Sequence, residues 1–123
     1  ARAGTSVAVD VGHHAGYTRP LRTHRIAAAA LAHLPTLVVG VRCGLDEILR
    51  RRATAPGGYV VAAADGAVPE PVRRWEQAVH DPGVYDLEVD TSALTPAEAA
   101  RRILTRVATG PPGTAIASWA GLG

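Results

Sequence analysis

Residues 36–53 read TLVVGVRCGLDEILRRRA. From Leu37 to Val41 the run is apolar, broken only by Gly40, and it ends at Arg42 and Cys43. A continuous run of this kind predicts a strand covered on both faces, as in a parallel sheet. Beyond Gly44 the period changes: Leu45, Ile48 and Leu49 fall on one face of a helix that closes on Arg50, Arg51 and Arg52. Successive helical residues are about 100° apart, so the three arginines do not all face one ligand. They are either a solvated helix end or part of a lid over phosphate, and these residues alone leave both readings open.

Working outward, residues 5–11, TSVAVDV, predict a buried strand with Asp10 at its carboxyl end, and GHHAGYTRP predicts a loop. Leu21 to Leu34 is an Ala-rich helix former stopped by Pro35. Residues 53–71, rich in Gly, Pro and Ala, read as a mobile connection, with GYVVA as a short extended piece. Pro71 opens a helix that runs to His80, on which Trp75 reads as a packing anchor, and the DPG of residues 81–83 turns the chain.

VYDLEVDT, residues 84–91, alternates. Tyr85, Leu87 and Val89 point one way and Asp86, Glu88 and Asp90 the other, as in an edge or half-exposed strand. Thr95, Pro96 and Glu98 fit N-cap, N1 and N3 of a capping box. Ala97, Ala100, Ile103, Leu104 and Val107 form the expected apolar face of that helix, which Gly110 ends. The tail GTAIASWAGLG is weakly patterned. The order is strand, helix, strand, helix, connection, helix, strand, helix, which predicts an α/β fold with a parallel sheet covered by helices. Three strands leave an apolar sheet edge that another segment or a second chain must cover.

The 123 residues suit one domain that buries roughly two-thirds of its unfolded surface. Thirteen basic residues against 11 acidic give a net charge of +2, too little to argue for nucleic acid. All 13 basic residues are arginine and lysine is absent. The first residue is Ala1, which allows a longer native chain. A single cysteine forms no intramolecular disulfide and no apolar run reaches the ~20 residues of a membrane span, so a soluble, cytoplasmic protein is expected.

Asp10, at a strand end facing the ligand crevice of an open parallel sheet, suits either a magnesium shell or a loop cap. His13 and His14 are adjacent, a spacing that does not put two metal ligands on one helical face. Cys43 reads as a packed thiol. Arg73 and Arg74 lie across the connection from Arg50, Arg51 and Arg52, and two such clusters can close over polyphosphate or simply be solvated.

Taken together, VAVDVGHH, LVVGVRCGLDEILRRRA and VHDPGVYDLEVDTS resemble the C-terminal half of the chloramphenicol phosphotransferase-like family of P-loop kinases, over about residues 5–108. The resemblance implies a kinase-like P-loop NTPase fold, incomplete in this chain, with residues 1–108 as the C-terminal part of one domain, a lid at about 50–74, and a tail at 109–123. It implies ATP-dependent, Mg2+-assisted transfer of the γ-phosphoryl group to a small-molecule hydroxyl, with chloramphenicol or a related natural product as a candidate acceptor and antibiotic modification as a candidate role. Carried over by position, Asp10 is the strand-end magnesium or substrate-side carboxylate. Arg50, Arg51 and Arg52 start the lid, Arg74 is a further lid cation, and Thr91 and Ser92 border the adenine.

Three departures accompany the resemblance. The G-x-x-x-x-G-K-[ST] phosphate loop is absent, and without lysine the chain cannot supply its ammonium. The family's general-base Asp, which precedes this region, is absent too. Val9 stands where the family tends to carry the first of two strand-end carboxylates. The chain is therefore expected to be inactive alone and to need an N-terminal segment, a second chain or swapping between copies. The alternative is a non-catalytic α/β remnant that binds nucleotide weakly or serves as an oligomeric partner.

Overall fold

The computed structural model describes residues 4–12, 22–55, 57–58, 62 and 64–122. Among them the order is α1 (Thr23–Leu31), β1 (Val39–Arg42), α2 (Leu45–Thr54), α3 (Glu70–Val79), β2 (Leu87–Asp90), α4 (Pro96–Thr109) and α5 (Ala115–Gly121). The fold is a small α/β arrangement. β1 and β2 pair in parallel, with Val39 opposite Leu87, Gly40 opposite Glu88, Val41 opposite Val89 and Arg42 opposite Asp90. The expected parallel sheet is present, with two strands among the described residues where the sequence predicts three.

The missing one is the predicted strand at residues 5–11. That stretch forms no strand, and Val7, Val9 and Val11 are 66%, 71% and 58% exposed. β-branched residues favour extended backbone, but a strand is stable only with a neighbour to take its N–H and C=O groups. None of the described residues provides that neighbour to residues 5–11. β1 departs from expectation for a related reason: it is shorter than residues 36–43, and Val41 is 55% exposed, so it is not covered on both faces.

β2 keeps the alternation read from its sequence. Val89 is buried while Glu88 and Asp90 are exposed. Tyr85, just before β2, lies across β1 at Gly40, where a Cβ would stand 2.7 Å from the ring. Only glycine permits that approach.

α4 begins as predicted. The Thr95 hydroxyl accepts from the Glu98 N–H at 3.3 Å and the Glu98 carboxylate accepts from the Thr95 N–H at 2.8 Å, which closes the capping box. Its expected apolar face is not a core face, however. Leu104 and Val107 are 66% and 64% exposed, and the buried residue is Ala99. α4 packs on β2.

The core lies elsewhere, and it corrects the reading of the tail. Ala28 of α1 and Ile116 and Trp119 of α5 form the buried cluster, with Leu31, Val38 and Val84 packed against it. Trp119 also donates its indole N–H to the Val84 carbonyl at 2.9 Å. Trp75, the expected anchor, is 58% exposed. The weakly patterned tail therefore contains α5, which supplies two of the three residues of the buried cluster.

Asp86 holds α5 in place. One carboxylate oxygen accepts from Val38 N–H at 2.8 Å, and the other from Thr114 N–H at 2.6 Å and Ala115 N–H at 3.0 Å. Gly113 is forced by the same junction, since a Cβ there would lie 2.2 Å from the Thr36 carbonyl oxygen.

Candidate functional site

Parallel strands deliver their following loops to one edge of the sheet, and open α/β folds bind ligands at that carboxyl edge. Here the edge is formed by Arg42, Cys43 and Gly44 after β1 and by Thr91 and Ser92 after β2. The Thr91 N–H and hydroxyl both donate to the Arg42 carbonyl, at 2.8 and 3.0 Å. The Ser92 hydroxyl accepts from Gly44 N–H at 2.7 Å and donates to the Cys43 sulfur at 3.7 Å, while the Ser92 N–H donates to Asp90 at 2.7 Å. The two predicted adenine-side residues thus stitch the strand ends together.

α2 starts at this edge and carries the arginines. Glu47 accepts from both Nε and Nη2 of Arg50, each at 2.7 Å, and from Nε of Arg51 at 2.7 Å. Those hydrogen bonds, the Arg50 pair foremost, hold the Glu47 carboxyl down at about 2. Arg51 also reaches across the edge: Nη2 donates to the Thr91 carbonyl and Nη1 to the Thr91 hydroxyl, the latter at 3.4 Å. Arg50 is the most open of the two, its side chain 68% exposed against 47%. It borders a shallow depression of about 490 Å³ with Asp46, Leu49 and Ala53 of α2 and Ala62 and Gly66 of the connection. Arg52 is half-buried.

Beneath the edge, a second polar group joins α3 to the sheet. His80 Nδ1 lies 2.8 Å from the Tyr85 hydroxyl, and the two rings meet edge to face. The Arg42 guanidinium lies 5.8 Å from the centroid of the Tyr85 ring and pairs with Glu88. Burial, then the Arg42 charge, lowers the His80 pKa below its ordinary value.

The structure brings Arg51, Thr91 and Ser92 to one edge with Arg50 beside it. Arg74 is exposed on α3. Asp10 is exposed on the irregular stretch outside the sheet and therefore is not at a strand end. His13 and His14 lie outside the described residues, as do Tyr59, Val60 and Val61 of the expected extended piece. No group of three or more His, Cys, Asp or Glu suited to a metal occurs among the described residues. A magnesium ion carried on phosphates asks the protein for only one or two carboxylates, which Asp10 alone satisfies in number. The chain has no lysine to supply the ammonium of a phosphate loop.

Sequence reading missed Glu47, although its spacing was visible. It stands three and four residues before Arg50 and Arg51, the positions at which helical side chains meet. No helix of the described residues is long and apolar enough to cross a membrane.

Comparison with curated proteins finds no match, and comparison with solved structures finds none either. The model of one protein family does match, over residues 1–108 of the chain. That span contains the whole strand-end edge, α2, α3 and both strands. The chain belongs to the chloramphenicol phosphotransferase-like family.

Proposed function

We propose that the chain forms the lid and adenine side of an ATP-dependent phosphotransferase acting on a small-molecule hydroxyl, with a P-loop kinase fold that a phosphate-binding segment completes. The supporting observation is the edge at which the lid root and the β2 turn meet, Arg51 to Thr91, in a chain that belongs to this family. In this reading Thr91 and Ser92 border the adenine, and Arg50, Arg51, Arg52 and Arg74 are the lid cations. Asp10 becomes the magnesium or substrate-side carboxylate once its stretch pairs as a strand. ATP and Mg2+ are the cofactors, and chloramphenicol or a related natural product is a candidate acceptor.

The exposed Val7, Val9, Val11 and Val41 favour completion by a further strand, from an N-terminal segment or a second copy. A parallel strand carrying the phosphate loop would bury these residues and supply the ammonium that a lysine-free chain lacks. The alternative, a non-catalytic remnant serving as an oligomeric partner, is favoured by the same exposed residues, and activity separates the two.

The test is phosphoryl transfer by the chain supplied with an upstream strand, G-x-x-x-x-G-K-[ST] loop and helix. Arg50, Arg51 and Arg52 are changed singly to Ala. At least one variant should lose about tenfold in kcat/KM, on the order of 1.4 kcal/mol of transition-state stabilisation. If none falls by more than about threefold, the lid assignment fails.

A further inference from the structure

We infer that Arg51 is a positioning residue that braces the Thr91–Leu94 turn against the last turn of α2, coupling the lid root to the proposed adenine-side wall. The nucleotide part of this role rests on the phosphotransferase reading, whereas the brace itself rests on geometry alone.

The β1–β2 ladder ends at Asp90 opposite Arg42. The Thr91 carbonyl is therefore past the last ladder position, and a main-chain acceptor there needs another donor. Arg51 provides it across a separation of 40 residues in sequence, while its Nε is fixed by Glu47 at 2.7 Å. A planar guanidinium held at one edge has its other donors aimed in a set direction. Arg50 completes the arrangement from behind. By taking Glu47 with both Nε and Nη2, it orients the carboxylate that orients Arg51.

The turn is then fastened at several points. Arg42 holds the Thr91 N–H and hydroxyl, Asp90 holds the Ala93 and Leu94 N–H groups at 3.3 and 3.0 Å, and Arg51 holds the Thr91 carbonyl. The Ser92 hydroxyl, which takes the N–H of Gly44, the N-cap of α2, at 2.7 Å, joins the turn to the start of that helix, and Arg51, in its last turn, joins the turn to the end from which the connection leads. A ligand that displaces Arg51 from Thr91 would uncouple the wall from the end of α2 and leave the Ser92–Gly44 bond at its start. A ligand that leaves the contact in place would find both already set, which lowers the ordering cost of binding.

Amide hydrogen exchange on the 123-residue chain tests the brace without any nucleotide. Arg51→Ala should speed exchange of the Thr91, Ala93 and Leu94 amides at least tenfold, with the Asp86 and Ala115 amides within twofold of the parent. Arg50→Ala should change the same turn amides less than Arg51→Ala does. Arg51→Gln, which keeps the helix-forming stem, should reproduce the local acceleration if the alanine variant folds poorly. The brace is overturned if the turn amides stay within twofold in both Arg51 variants, or if the acceleration is uniform across the chain. Failure of the completed protein to bind nucleotide would instead remove the phosphotransferase reading and leave the exchange result standing.

Discussion

Trp119→Ala should cost about 3–5 kcal/mol, the range for truncating a large buried aromatic. That is a large share of the 5–15 kcal/mol that holds a typical domain together. Trp119 is 5% exposed and packs with Ala28 and Ile116 in the buried cluster. Its truncation also leaves the Val84 carbonyl without the indole donor. Urea denaturation followed by far-ultraviolet circular dichroism should show either a much lower midpoint or loss of the cooperative transition. Trp75→Ala, at a residue 58% exposed, should shift stability by less than about 1 kcal/mol. Equal losses from the two variants would contradict the placement of the core on α1 and α5.

The second large effect is expected at Asp86. Its carboxylate takes three main-chain N–H groups, from Val38, Thr114 and Ala115. Hydrogen bonds to a charged group contribute about 1.5–3 kcal/mol each, though not additively, and Asp86→Ala leaves three donors to find water. A loss of about 3–4 kcal/mol is expected, with α5 released first. Burial raises the Asp86 pKa, but the bonds from Val38, Thr114 and Ala115 and the Arg106 charge outweigh it, so the folded value is lowered. A carboxyl with a lowered folded pKa contributes stability that is complete above its unfolded value, about 3.9, and is lost as pH falls through the folded value. Stability of the parent should therefore fall more steeply below about pH 4 than that of Asp86→Ala. Parallel pH profiles would show that Asp86 does not carry this linkage.

Local signals in the sequence are legible where they are closed within a few residues. The capping box needs only Thr95 and Glu98, and the alternation of β2 needs only its own side chains and one buried face. Residues 5–11 failed for the opposite reason. Composition records the capacity of TSVAVDV to be a strand, but pairing depends on a neighbour that no local pattern specifies. The tail was unreadable because Ala115, Ile116 and Trp119 occupy a helix too short to show a sustained period, and its position is set by Asp86, 28 and 29 residues away.

At the candidate site, Arg50, Arg51, Thr91 and Ser92 were legible as residues of one region because the resemblance ordered them along the chain. Their connection was not. The contact from Arg51 to Thr91 depends on parallel pairing of β1 and β2, which brings the start of α2 beside the turn after β2. Glu47 was legible in principle, as an acidic side chain one turn before two arginines, and its role emerges only when both cations are seen to converge on it.

In the function proposed above, these residues are the lid and adenine side of a kinase whose phosphate cradle comes from another segment. Calorimetric titration of the 123-residue chain with ATP and Mg2+ tests it most directly, beside the same titration of the chain supplied with the phosphate-loop segment. No saturable binding is expected from the chain alone, and saturable, magnesium-dependent binding is expected once the segment is present. Micromolar binding by a homogeneous 123-residue preparation, or no binding by the completed protein, would contradict it.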